Sequence, residues 1–405
     1  MIHKLPGIIF HLIIYLASIL GNSKARQRIN GRNIQIQNEN FDFWVHASSL
    51  GEYWMVEKLI RDLEKRKNKV FVSIFSPSAW DIVSEKEKHY GYIPIDRLSQ
   101  VNAFLNIINP KFAVFAKYDL WPVMSENLVK RNIPYLIAFA QFEPNHHVLW
   151  KWNFIENKVF KKATGIGHQT EESLLLFSKS GFSNGFFSGD GRFDYVNLQR
   201  INWKPIERID DFKDGKKLLI AGSSWKKEES LIIPLIDSFP EIKFAFAPHN
   251  LERLGKLIKS LPNHFILISK LDSYTEEEIS KAKILVVDTM GELQRLYGHS
   301  DIAIIGGGFH HGLHNILEAL AFQNIVTFGP KTDNHWEAIK CGADILNLNT
   351  DSAGLKEWIS GLLDSDENVL KQKKTSAQDF IEKNLGATDR VIKFIDKYSN
   401  CHQSN

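Results

Sequence analysis

Five regions of this 405-residue chain carry side chains that could do chemistry. His46-Ala47-Ser48-Ser49-Leu50-Gly51-Glu52 places small residues, a glycine and a carboxylate directly after an apolar run. Small residues at a strand–helix junction let a ligand approach the backbone closely. A glutamate in the first turn of a helix is favoured in its ionised form, which is the form a general base needs. The same position suits a glutamate that only satisfies first-turn amides, and spacing leaves both open. Lys117-Tyr118-Asp119-Leu120-Trp121-Pro122 follows a second apolar run. Its charges are candidates for a cleft, but taken alone the motif fits better an ion-paired turn anchored by Trp121. In Gly189-Asp190-Gly191-Arg192-Phe193-Asp194 two glycines flank charge, and Arg192 suits either a phosphate or a pair with Asp194.

Two further regions lie later in the chain. Gly222-Ser223-Ser224-Trp225, followed by Glu228 and Glu229, is a generic anion-cradling turn that lacks the glycine and lysine spacing of a Walker loop. The richest region runs from Asp288-Thr289-Met290-Gly291-Glu292-Leu293 through Gly306-Gly307-Gly308 to His314-Asn315-Ile316-Leu317-Glu318. A triple glycine after a buried strand, then a helix opening on His-Asn with Glu318 one turn in, suits a nucleotide. Backbone and helix dipole meet phosphate, and a carboxylate accepts both ribose hydroxyls. His310, His311 and His314 straddle a glycine turn without the regular spacing of a ligand pair on a helix, so no metal is expected. Asp364-Ser365-Asp366 lies in an acidic surface segment, which also argues against metal binding there.

The elements that must position these groups are those of an α/β protein. Apolar runs at Phe41–Val45, Val70–Phe75, Phe112–Phe115 and Tyr135–Ala138 alternate with helical periodicity such as that of Met55, Val56, Leu59, Ile60 and Leu63. Continuous apolar strands alternating with helices predict parallel sheets covered on both faces. The rhythm breaks over residues 197–216, then restarts at Leu218–Ala221 and continues through Phe244–Ala247, Phe265–Ile268, Ile284–Val287, Ile302–Ile305 and Ile325–Phe328. Two doubly wound domains follow, expected at 23–200 and 201–405 and facing a cleft, with ligands at the carboxyl ends of the strands. With 50 Lys plus Arg against 47 Asp plus Glu the net charge is +3, so no large basic surplus points to nucleic acid. Cys341 and Cys401 are too few for a disulfide scaffold or a cysteine metal cluster and fit a reducing compartment.

Residues 1–22 hold the apolar run Leu5–Leu20, followed by Lys24, Arg26, Arg28 and Arg32. Sixteen helical residues span about 24 Å, short of the roughly 30 Å hydrocarbon core. A signal peptide carries its charge mainly before the apolar run, and a buried helix needs no basic cluster. The expectation is a membrane anchor, spanning or interfacial, with the following chain on the cytoplasmic side of the inner membrane.

In this order the motifs resemble those of the Kdo (3-deoxy-D-manno-oct-2-ulosonic acid) transferases of lipid A biosynthesis. The similarity rests on His46–Glu52, Asp119-Leu120-Trp121-Pro122, Gly189–Asp194, Asp288–Leu293, His314-Asn315 with Glu318, and Gly329-Pro330 followed by Asn334. The resemblance implies a GT-B fold, an inverting reaction without metal or other cofactor, a CMP-Kdo donor, and a lipid A precursor (lipid IVA) as acceptor at the inner-membrane lipid surface. It assigns Glu52 as general base and Pro248-His249, Met290-Gly291-Glu292 and Asn315-Ile316-Leu317-Glu318 as CMP-binding segments. Asp119 and Arg192 stand beside Glu52 as catalytic candidates. The chain departs from the family's usual pattern in reading Pro248-His249-Asn250 for Pro-Arg-His, and Lys117-Tyr118-Asp119 where acids are usual. The alternatives are another membrane-associated GT-B transferase using a UDP-sugar, and a membrane-bound scaffold that keeps the fold without turnover.

Overall fold

The computed structural model describes residues 39–144, 146, 154–262, 265–309, 312–332, 335–341, 346–348 and 351–403. The expected anchor and its basic cluster, His310, His311 and Asn334 lie outside the described residues. Among the described residues no helix is long and apolar enough to cross a membrane.

The chain forms two compact units, each built on a parallel sheet. In the first unit β1 (Phe41–Ala47), β2 (Val70–Ile74), β3 (Tyr90–Tyr92), β4 (Pro110–Ala116), β5 (Tyr135–Ala140), β6 (Gly165–His168) and β7 (Gly185–Phe187) pair in the order β3-β2-β1-β4-β5-β6-β7. β1 to β3 wind one way and β4 to β7 the other. The loops after β1 and β4 therefore part at a topological switch point, where open α/β sheets hold ligands. These are the loops that carry Glu52 and Asp119.

Both faces of this sheet are buried, as the unbroken apolar strands require. Trp44, Phe71, Phe104 and Phe115 fill one side under helix Leu98–Ile108. Val45, Val72 and Val114 fill the other under helix Leu50–Lys65, which contributes Tyr53, Val56, Leu59 and Ile60.

The second sheet uses β8 (Lys217–Ser224), β9 (Ile242–Pro248), β10 (Phe265–Leu267), β11 (Ile284–Val286), β12 (Ile302–Ile305), β13 (Ile325–Phe328) and β14 (Leu346–Leu348), in the order β10-β11-β9-β8-β12-β13-β14. Its switch point lies between β8 and β12. Gly222 to Ser224, expected as a turn, are instead the irregular last residues of β8, and the triple glycine follows β12 beside them.

The domain boundary differs from the expected one at the end of the chain. The second unit spans Val196–Lys383, and Asn384 onward belongs to the first unit. The reason is the last helix, Ala387–Gln403, which buries Ala387, Val391, Ile392 and Ile395 in the core beside helix Leu50–Lys65. Its start is held by Asp194, whose carboxylate accepts the amides of Gly386 (2.7 Å) and Thr388 (2.6 Å). Asp194 is thus a helix cap and not the partner of Arg192. Replacing it with Ala leaves two amides near a buried site unpaired. Asp194→Ala is expected to destabilise the first unit by about 1–3 kcal/mol, read by urea denaturation.

Candidate active site

In the first unit the base candidate is built by the loop after β1. Ser49 caps helix Leu50–Lys65, its hydroxyl accepting the Glu52 amide at 3.3 Å. The Glu52 side chain turns back, and its Oε2 accepts the Ser48 amide at 2.7 Å. Part of the capping reading is therefore correct. The other oxygen, Oε1, has no hydrogen-bond partner among the described residues. Burial, then the nearby charge of Asp119, pushes the Glu52 carboxyl above its ordinary range, while Lys117, the Ser48 amide and His46 pull against them. A partly buried carboxylate of raised basicity with one oxygen open can take a proton from a hydroxyl.

Asp119 lies close enough to act on Glu52, but its own oxygens are engaged. Oδ1 accepts from the Trp121 indole at 3.0 Å, and Oδ2 stands 3.4 Å from His46 Nε2. His46 is fully buried. Its Nδ1 faces the Ser73 main-chain oxygen (3.1 Å) and hydroxyl (2.8 Å), and the Ser73 hydroxyl also accepts from Trp44. A carbonyl only accepts, so Nδ1 carries a proton and Nε2 is turned to Asp119 and the Ser48 hydroxyl. Ser48 therefore touches both Glu52 and His46. His46 and Ser73 are functional neighbours that the sequence reading leaves unassigned. The available signal was a lone serine in the apolar run of β2, directly paired with His46. Arg192 is placed differently: its guanidinium binds the buried Asp190 carboxylate, at 2.6 Å for the shortest contact.

In the second unit the end of β8 and the glycines after β12 interlock. A β-carbon at Gly306 would run into the Ser223 carbonyl, and Gly307 has φ +90°. The Gly307 amide does not stand open for a phosphate, however. The buried Glu228 carboxylate accepts it at 2.9 Å, together with the Trp225 amide at 3.1 Å. Next to this lies a wall of three rings. Trp225 stacks on His249 (centroids 5.0 Å apart), and His249 on His314 (4.2 Å). The indole N–H of Trp225 donates to His314 Nε2 at 2.9 Å. Because an indole only donates, this bond selects the His314 tautomer with its proton on Nδ1. Arg253 lies over the Trp225 ring and pairs with Glu229 at 2.8 Å. Trp225, Lys226, Lys227, Arg253 and Phe309 line a recess of about 280 Å³. A larger recess, about 500 Å³, lies at the opposite, amino-terminal edge of this sheet, between Lys217, Asp301 and helix Glu367–Lys383, away from these loops.

The predicted nucleotide segments are only partly gathered by the bonds in the structure. His249 joins His314, the neighbour of Asn315, while Pro248 is the buried end of β9. Asn315 donates to Glu318 Oε1 at 3.2 Å and accepts the Leu317 amide at 3.1 Å. Burial pushes the Glu318 carboxyl up to about 7, against the pull of Asn315. Ile316 and Leu317 are fully buried, main chain included, and neither is open to a ligand in this structure. Met290 is 73% exposed, Gly291 opens helix Glu292–Tyr297 with φ +91°, and Glu292 pairs with Arg295 at 2.9 Å. Among the described residues no group of three His, Cys, Asp or Glu side chains could hold a metal ion.

Residues 22–195 match the family model described as 3-deoxy-D-manno-octulosonic-acid transferase. Among curated proteins, the 3-deoxy-D-manno-octulosonic acid transferase of Rickettsia bellii is 25% identical and covers 96% of each chain. The protein of that name from Haemophilus influenzae is 26% identical over 88% of this chain and 86% of its own. Among solved structures, the UDP-GlcNAc 2-epimerase of Neisseria meningitidis, bound to UDP-GlcNAc, aligns with a TM-score of 0.57 at 14% identity over 89% of this chain and all of its own, a likeness of fold alone. The two parallel sheets have the GT-B pattern, the family model covers the unit that carries Glu52, and the curated relatives extend the match through the later segments: along nearly its whole length the chain is similar to Kdo transferases, which are glycosyltransferases.

Proposed function

We propose that this protein transfers Kdo from CMP-Kdo to a lipid A precursor at the cytoplasmic face of the inner membrane, by inverting displacement with Glu52 as general base. The observation that carries the reading is Glu52 itself, a carboxylate at the switch point with one oxygen held by the Ser48 amide and the other open. An acceptor sugar hydroxyl is scarcely ionised at neutral pH, so its attack on the anomeric carbon needs proton removal as the new bond forms and CMP leaves. The second unit holds the nucleotide through Asn315, Glu318 and the ring wall of Trp225, His249 and His314. No step calls for a metal. Incubation with CMP-Kdo and lipid IVA, followed by mass spectrometry of the lipid, tests the reading. The expected product is the acceptor plus Kdo. Heat protection by UDP and not by CMP would favour a UDP-sugar donor instead.

The proposed location rests on the sequence of residues 1–32. The apolar run supplies burial, and Lys24, Arg26, Arg28 and Arg32 add roughly 1 kcal/mol each near anionic lipid. Deleting residues 1–22 is expected to leave CMP binding intact. Efficiency on vesicle-embedded acceptor should fall far more than on detergent-dispersed acceptor. Equal activity on both would remove the anchor from acceptor access.

A further inference from the structure

We propose that Lys117 is an anion-recognition residue of the acceptor side of the site, receiving a phosphate or carboxylate group of the substrate held against Glu52. The inference rests on reading Glu52 as the base. Its first support is placement. β1 and β4 are paired with His46 opposite Phe115, and Ser48 and Lys117 are the first residues past the ends of these two strands. Ser48 is the residue whose amide binds Glu52. Lys117 therefore leaves the sheet at the switch point, level with the base.

Its second support is the backbone. Lys117 has φ +58°, a left-handed conformation that is unfavourable for a residue with a β-carbon. The strain is held in place, because the Lys117 amide donates to the Ala138 carbonyl of β5 at 2.8 Å. Strained positions that the surroundings fix are concentrated where a side chain must be aimed.

The third support is the unused charge. Several lysines of the first unit have partners: Lys111 pairs with Asp42 and Lys69 with Glu39, both at 2.8 Å, and Lys158 with Glu126 at 3.0 Å. Among the described residues the Lys117 ammonium has no hydrogen bond or ion pair. Acids stand close by, but Asp119 is engaged by Trp121 and His46, and Glu52 is turned to Ser48. The cation lies near enough to favour the ionised form of Glu52 without closing on it. A partly buried ammonium beside a general base is suited to steady an anionic substituent next to the reacting hydroxyl. Two sources carry such a group here, the phosphates of the acceptor and the carboxylate of the transferred sugar.

Lys117→Met keeps the aliphatic stem and removes the charge, and Lys117→Arg keeps the charge. Steady-state kinetics with phosphorylated and with dephosphorylated acceptor, and calorimetry with CMP, form the test. For acceptor recognition, Lys117→Met lowers kcat/KM on the phosphorylated acceptor by about ten- to a hundredfold. It changes the dephosphorylated acceptor little and leaves CMP affinity unchanged, and Lys117→Arg recovers most of the loss. An equal loss on both acceptors, with a raised KM for CMP-Kdo and recovery by Lys117→Arg, assigns the anion to the sugar carboxylate. Wild-type constants in Lys117→Met, or an equal loss on both acceptors that Lys117→Arg does not recover, overturn the inference. If wild-type protein transfers no sugar, it is the proposed function that fails. Binding of phosphorylated acceptor and of CMP-Kdo, measured separately, then still decides Lys117: unchanged affinity of Lys117→Met for both rejects it.

Discussion

Glu52→Gln is expected to lower kcat by 10²–10⁴-fold, about 3–5 kcal/mol of barrier, with the fold intact. The amide keeps the shape of the side chain, and its oxygen can still accept the Ser48 amide. It cannot take a proton. Because burial raises the Glu52 carboxyl, replacing it with a neutral group removes a desolvation penalty, so stability at neutral pH should be unchanged or slightly higher. With the nucleotide assigned to the second unit as proposed, CMP affinity should not move. The companion variant Asp119→Asn works through charge. Asp119 helps raise the Glu52 carboxyl, so its neutralisation should shift the acidic limb of kcat/KM to lower pH. Near wild-type turnover in Glu52→Gln, with product verified by mass spectrometry, would reject the base assignment.

What the sequence makes visible is the set of long buried strands. β1, β2, β4, β5 and β8 to β13 contain continuous apolar runs, and their motifs follow directly. β3, β6, β7 and β14 are hidden for physical reasons. β6 reads Gly165-Ile166-Gly167-His168, with glycines where apolar side chains would announce a strand. A β-carbon at Gly165 would run into the ring of Phe394, and one at Gly167 into Ser188. The glycines exist because neighbours pack too close, and one of those neighbours is the last helix, far away in sequence. The same remoteness explains the boundary. Val391, Ile392 and Ile395 show that the last helix has an apolar face, but nothing in the local pattern says which unit covers it.

The site divides in the same way. Glu52 is legible because its ligand, the Ser48 amide, lies four residues away. The link between His46 and Asp119 crosses 73 residues and exists only because β4 lies beside β1. Arg192 and Asp194 show how a local pair misleads. Two and four residues from Asp190, they go to opposite tasks, one to the Asp190 carboxylate and one to a helix start 192 residues on. The glycine turn after β12 is a related case: its form suits a phosphate, yet the Gly307 amide is already held by Glu228, which the sequence gives no reason to connect with it.

Glu318 gives the second large effect, and it carries a pH signature. Burial holds its carboxyl at about 7, well above an ordinary glutamate. The folded protein therefore keeps a proton there that the unfolded chain loses near the ordinary value. Between these two values the folded state binds more protons, so stability falls as pH rises through that window. If the ionised carboxylate accepts ribose hydroxyls, CMP binds the deprotonated form, and binding expels the proton. Calorimetry should then show CMP affinity rising by about tenfold from pH 6 to pH 8, the change in the ionised fraction of a group titrating near 7. The nucleotide phosphate titrates too, and comparison with Glu318→Gln separates the two, since that contribution is common to both proteins. Glu318→Gln should lose the extra slope, and its ligand-free form should lose less stability between pH 5 and pH 8 than wild type. Glu318→Ala should weaken CMP by roughly 1.5–3 kcal/mol, more than tenfold, and Asn315→Ala should act in the same direction by freeing the carboxylate from its partner. A pH slope identical in wild type and Glu318→Gln, with unchanged affinity in Glu318→Ala, would reject Glu318 as a nucleotide contact.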